Sequence, residues 1–123
     1  MKELKILIAD DSKLISDILS RTLSKVEGFK VVGVAENGVA ALEMVREYKP
    51  DVLVLDISMP FKNGTDVLAE LRAEDSSTVV IMFTADQSPL VRKVCMDFGA
   101  NYFLDKSDIR GVVEICRVHL PAL

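Results

Sequence analysis

The sequence predicts an α/β domain in which five parallel strands alternate with five helices, a (βα)5 doubly wound sheet. Two observations carry this expectation. Apolar runs begin near Leu4, Phe29, Val52, Thr78 and Tyr102, at spacings of 25, 23, 26 and 24 residues, and an amphipathic stretch follows each. The runs are also short, nearly continuous and bounded by turn formers, as strands buried on both faces of a parallel sheet are. Leucine-rich repeats have a period of this size, but their LxxLxL ladder is missing.

The elements follow in order. The first strand spans Leu4 to Ala9, and Ser12 is a good N-cap for the helix after it. That helix places Leu14, Ile15, Ile18, Leu19 and Leu23 on one stripe and is stopped by Gly28. The second strand starts near Phe29. Its helix follows Asn37, carries Val39, Leu42, Met44 and Val45, and ends before Pro50. The third strand is Val52 to Leu55, and the helix after Gly64 carries Val67, Leu68 and Leu71. The fourth strand is Thr78 to Phe83, with a helix from about Ser88 to Phe98. The fifth is Tyr102 to Leu104, with a helix from about Asp108 to His119 in which Gly111 lowers the propensity. No internal boundary interrupts the pattern, so residues 1–123 are read as one domain. Pro121 either stops the last helix or begins a linker.

At 123 residues and 50% hydrophobic, the chain suits one core that buries about two thirds of its unfolded surface. A net charge of -4, with no Lys/Arg stripe interleaved with aromatics, argues against direct nucleic acid binding. The longest apolar stretches fall well short of the roughly 20 residues a membrane-spanning helix needs. Met1 to Ala9 runs into two aspartates without a cleavage site, so a cytoplasmic protein is expected. Cys95 and Cys116 lie in separate helical segments with no CxxC and are expected to be reduced, buried thiols.

Function is concentrated at the strand ends. Asp10 and Asp11, Asp56, Thr84 and Lys106 each close or follow an apolar run, and open α/β sheets bind ligands beyond the carboxyl ends of their strands. Right-handed crossovers and the flavodoxin-like order 2-1-3-4-5 make strands one and three neighbours, bringing Asp10, Asp11 and Asp56 together. Three converging carboxylates repel, which raises their pKa values unless a hard cation sits among them. Mg²⁺ suits such an open rim, since it accepts a few carboxylates and completes its shell with water and phosphate oxygens. An aspartyl nucleophile attacking phosphorus also needs an ammonium and a hydroxyl for the developing charge, which Lys106 and Thr84 supply. Taken singly, each residue has an ordinary reading: a cap, a turn carboxylate, a solvated lysine, a strand-end hydroxyl.

With these residues in view, the chain resembles the receiver domain of two-component response regulators, of the chemotaxis-regulator kind, over nearly its whole length. Ile6-Leu7-Ile8-Ala9-Asp10-Asp11-Ser12 is similar to the family's acidic opening. Asp56 to Gly64 follows its D-x-x-M-P-x-x-x-G pattern without a gap, and Phe83-Thr84-Ala85 and Asp105-Lys106 supply the rest. The resemblance implies that Asp56 accepts a phosphoryl group from a histidine kinase or phosphotransfer protein. It implies that Asp11, Asp56 and the Ser58 carbonyl hold Mg²⁺, with Asp10 acting mainly through water. Lys106 would hold a phosphoryl oxygen, Thr84 would swing toward the new phosphate, and Phe103 is the aromatic switch. The domain would catalyse only its own phosphorylation and dephosphorylation, and would be no enzyme otherwise. Its readout would be the face of helix 4, strand 5 and helix 5, where Leu90, Arg92, Lys93, Arg110 and Arg117 are candidate contacts with an output domain, a docking protein or a second copy.

Some residues depart from the family pattern. Ser107 stands where the family usually has a proline in a cis peptide, so a trans bond or a distorted loop is expected. Ser58 and Asp86 occupy positions that in the family influence phosphate lifetime. Other classes fit less well. A receiver-like interaction and dimerisation module that takes no phosphate is disfavoured by the intact constellation of five residues. A flavin carrier wants a phosphate-cradling loop after strand one, where two aspartates would repel the phosphate. A dinucleotide site lacks GxGxxG, and a histidine phosphotransfer domain fails because the only histidine, His119, is near the chain end and reads as a solvated terminal residue.

Overall fold

The structure, a computed structural model, describes residues 2–74 and 76–121. Five strands, β1 (Leu4–Ala9), β2 (Phe29–Ala35), β3 (Val52–Leu55), β4 (Val79–Thr84) and β5 (Tyr102–Asp105), alternate with five helices. The helices are α1 (Lys13–Ser24), α2 (Gly38–Tyr48), α3 (Gly64–Ala73), α4 (Pro89–Asp97) and α5 (Ile109–Val118). All strand pairs are parallel and the order is β2-β1-β3-β4-β5, so the expected doubly wound topology holds. No helix among the described residues is long and apolar enough to cross a membrane.

Side-chain alternation divides the core into two layers. Leu4, Ile6 and Ile8 of β1 meet Leu19 and Leu23 of α1 and Val112 and Cys116 of α5 on one face. On the other, Leu7, Leu53 and Leu55 pack with Leu42 and Val45 of α2, Leu68 and Leu71 of α3 and Cys95 of α4. Because β3 lies between β1 and β4, its four residues are all buried and are all apolar.

The helix ends are chemically marked. Ser12, Asn37, Asn63, Ser88 and Asp108 each accept, through a side-chain oxygen, a backbone N–H of the first turn. The cap of α3 is therefore Asn63, one residue before the glycine from which the sequence reading started that helix. Likewise α1 ends at Ser24, and Gly28, at φ 90°, serves the turn into β2 instead of stopping the helix. Thr78 precedes β4 and donates its hydroxyl to the Pro50 carbonyl at 3.0 Å.

Two apolar stripes are narrower than the sequence suggests. Leu14 and Ile18 of α1 are 70% and 38% exposed, and Val39 of α2 is 43% exposed. The arc of α1 that meets the sheet is centred on Leu19 and Leu23, and Leu14 and Ile18 sit one residue round from that row. His119 is also not a solvated residue. Its Nε2 lies 3.0 Å from the Tyr102 hydroxyl and the two rings meet edge to face, which ties the end of α5 to β5.

Candidate functional site

The site is built where backbone ladders overrun the strands. The Asp10 N–H donates to Ala35, the Asp56 N–H to Ala9 and the Lys106 N–H to Thr84, at 3.0, 2.9 and 3.2 Å. The backbone of each residue is thus fixed to a neighbouring strand. Asp10 and Asp56 are buried, Asp11 is exposed, and one carboxylate oxygen from each lies within 4.8 Å of the others. Lys106 reaches in from β5 and is the bridge. Its Nζ donates to Asp56 Oδ2 at 2.9 Å and to Asp10 Oδ1 at 3.3 Å. Asp10 Oδ2 is within ion-pair distance of the same ammonium at 3.1 Å, yet it is buried and accepts no hydrogen bond.

These contacts set the charges. Burial pushes the Asp56 carboxyl up, the Lys106 hydrogen bond opposes this, and the charge of Asp10 adds to the rise. Burial alone would lower Lys106, but its hydrogen bonds to Asp56 and Asp10 outweigh that and its pKa is raised. The lysine is therefore held as an ammonium between two carboxylates that repel each other.

The donor set fits a hard divalent cation. It offers only oxygen ligands, one of them the orphaned Asp10 Oδ2, and its mouth is open on the Asp11 side. Ser58 is exposed on the β3–α3 loop, and its carbonyl accepts no hydrogen bond among the described residues. The loop is held against the site by two glycines. A Cβ on Gly64 would lie 2.1 Å from the Asp56 carbonyl oxygen, and one on Gly38 would lie 1.8 Å from that of Lys62. The D-x-x-M-P-x-x-x-G spacing contained the first of these contacts. Nothing in the sequence pointed to Gly38.

The other expected residues are placed as follows. Thr84 ends β4, is buried, and its Oγ accepts the Asp86 N–H at 3.3 Å. Phe103 is 8% exposed, with the Arg92 guanidinium 5.7 Å from its ring centroid, a contact the sequence reading missed. No cis peptide occurs among the described residues, so Lys106–Ser107 is trans. The loop is braced instead by Asp105, whose Oδ1 accepts the Ser107 N–H at 2.8 Å and its hydroxyl at 2.7 Å. These two bonds also hold Asp105 below the usual carboxylate range. Leu90, Arg92, Lys93, Arg110 and Arg117 are all exposed, but Lys93 pairs with Asp97 at 2.8 Å and Arg117 lies 4.0 Å from Glu114. Cys95 and Cys116 are free and buried, as expected.

The sequence profile of the family described as "Response regulator receiver domain" matches residues 6–115. The chain belongs to the response regulator receiver family. Receivers are phosphorelay signalling domains, and the acidic pocket is where the family binds Mg²⁺. The chain is 38% identical over 109 residues to a protein-glutamate methylesterase/protein-glutamine glutaminase of Desulfotalea psychrophila. That match spans 86% of this chain but only 30% of the relative. Among solved structures, the receiver domain of the response regulator NarL from Mycobacterium tuberculosis is similar, with a TM-score of 0.88 and 30% identity, covering 95% of this chain and 98% of that one. So is CheY in a CheX-CheY-BeF3-Mg complex from Borrelia burgdorferi, with a TM-score of 0.88 and 27% identity over 98% and 92% of the two chains. A receiver domain is not itself a catalytic enzyme.

Proposed function

We propose that this receiver takes a phosphoryl group onto Asp56 and catalyses on itself both that step and its later dephosphorylation by water. The observation that carries the reading is the Lys106 ammonium bridging Asp56 and Asp10 inside an acidic cluster. An Asp56 oxygen attacks phosphorus, the O–P bond forms, and the N–P bond to the donor histidine breaks with the imidazole as leaving group. The Lys106 ammonium balances the negative charge that builds on the phosphoryl oxygens. Mg²⁺ bound by Asp11, Asp56 and the Ser58 carbonyl, with Asp10 acting through water, would neutralise further charge on those oxygens. Ala85, after Thr84, is small and leaves the site accessible.

The output follows from a population shift. A phosphoryl group on Asp56 draws the Thr84 hydroxyl from its bond with the Asp86 N–H, and Phe103 responds to the space that opens. The α4–β5–α5 face then changes, with exposed Leu90, and Arg92 and Arg110, which form no ion pair within their own helices, available to an output domain, a docking protein or a second copy. Donor and receiver meet in the cytoplasm in this reading.

The test is intact mass spectrometry after incubation with acetyl phosphate, with and without Mg²⁺. A single Mg²⁺-dependent adduct of one phosphate is expected in the native chain and none in Asp56→Asn. A native chain that stays unlabelled while a known receiver is labelled would sink the reading in favour of a phosphate-independent docking module.

A further inference from the structure

Phe61 is the most exposed large apolar residue among those described, at 86%, and it is also a non-glycine residue in the left-handed region, at φ 69°. Single exposed apolar residues are ordinary on protein surfaces. A bulky side chain held at positive φ is not, and backbone strain of this kind collects at functional sites. The loop that holds it is braced by hydrogen bonds. Lys62 N–H donates to Pro60 at 2.8 Å, Gly64 N–H to Ile57 at 2.8 Å and Gly38 N–H to Pro60 at 3.4 Å, while the Lys62 ammonium pairs with Glu70. The ring is thus carried on a hydrogen-bonded turn next to exposed Pro60, and the Gly38 bonded to that turn is followed by the half-exposed Val39.

We propose that the Phe61 ring, with Pro60 and Val39, is the apolar anchor on which the protein donor of the phosphoryl group seats over Asp56. This rests on the reading of Asp56 as acceptor. Gly64 touches the Asp56 carbonyl, and three residues of chain keep the Phe61 Cα within about 11 Å of Gly64. An ordinary protein interface covers about 800 Å² on each side, a disc of roughly 16 Å radius. Asp56 is 3% exposed, so a donor histidine must come down onto the rim, and a protein surface centred there covers Phe61. The occupant is therefore a phosphohistidine protein with an apolar notch beside its histidine, since buried aromatics anchor such contacts. Small phosphodonors need no such seat.

The experiment compares the full chain with Phe61→Ala, Phe61→Gly and Phe61→Leu. Purified cytoplasmic portions of a panel of histidine kinases are autophosphorylated with labelled ATP, and the one that transfers fastest to the native chain is the probe. The kcat/KM of transfer should fall at least tenfold in the Ala and Gly variants and stay near native in Leu. Labelling by acetyl phosphate should not change in any of them, and the Gly variant should melt no lower than the native chain. Unchanged transfer, or a parallel loss with acetyl phosphate, overturns the proposal. So does a panel from which no kinase transfers although acetyl phosphate labels the chain. It is equally overturned if native dimers become monomers in Phe61→Ala while transfer is kept, because the anchor then serves self-association. A native chain that acetyl phosphate does not label defeats the reading of Asp56 itself, which is a different result.

Discussion

Asp10 is buried, leaves Oδ2 without a hydrogen bond, and faces Asp56 across one shared ammonium. Two buried carboxylates that share one ammonium come at a cost in stability. Asp10→Asn keeps an oxygen for the Ser12 N–H, which donates to Oδ1 at 2.8 Å, and removes one of the two buried charges. The variant should gain about 1–2 kcal/mol, read as a rise in the urea midpoint at constant m-value. The gain that millimolar Mg²⁺ gives the native chain should shrink in the variant, since that gain comes from binding to the folded state alone. A fall in the midpoint would show that the Lys106 contact outweighs the repulsion. Cys116 makes a separate case. Burial pushes its thiol up to about 12 from an ordinary 9.0. The unfolded chain therefore releases this proton first as pH rises, and the stability the thiol contributes is full below pH 9.0 and is lost toward about 12. Cys116→Ala should flatten that decline in urea midpoints across the same window, and native Cys116 should resist alkylation at pH 8 until the chain is unfolded.

At the scale of elements, α1 separates apolar residues that fold the chain from those that do not. Leu19 is fully buried between the sheet and its own helix, whereas Leu14 is 70% exposed. Leu19→Ala should cost about 2–5 kcal/mol and Leu14→Ala less than about 0.5, by urea denaturation. Equal costs would mean that the helix is rotated from its described face. The contrast also marks what was legible in the sequence. Strand positions were readable because each is a short, nearly continuous apolar run, and the rim because strand ends carry its chemistry in one-dimensional order. The face of α1 was not, because three adjacent apolar rows fit one stripe on paper and only the width of the sheet selects among them. His119 escaped for a similar reason, since its partner Tyr102 is 17 residues away and no local pattern links them. Arg92 of α4 over Phe103 of β5, and the Asp105 brace on Ser107 just past the end of β5, are likewise invisible to periodicity.

The molecule as a whole has two unlike poles. At the carboxyl ends of the strands, charges are brought together without full compensation. At the amino ends of β4 and β5, Arg72 of α3 makes a staple whose acceptors are all uncharged. Its guanidinium donates to the carbonyls of Gly99, Ser76 and Thr78 at 3.0, 2.9 and 2.9 Å and to Asn101 Oδ1 at 2.9 Å. Asn101 Oδ1 also accepts the Val80 N–H at 2.8 Å, so one side chain joins the end of α3, the start of β4 and the α4–β5 connection. Burial lowers the Arg72 pKa, and no carboxylate pairs with it among the described residues. Its worth lies in the carbonyls it satisfies, which a lysine with its single nitrogen cannot span. Arg72→Lys should cost about 2–3 kcal/mol by urea denaturation, because several part-buried acceptors lose their donor together. The rate of acetyl phosphate labelling should not move. Since the two poles share no partner, Asp10→Asn and Arg72→Lys should combine additively to within about 0.5 kcal/mol. A larger departure would mean that the staple and the acidic rim are coupled through the central strands, and that the amino ends of the sheet take part in the switch.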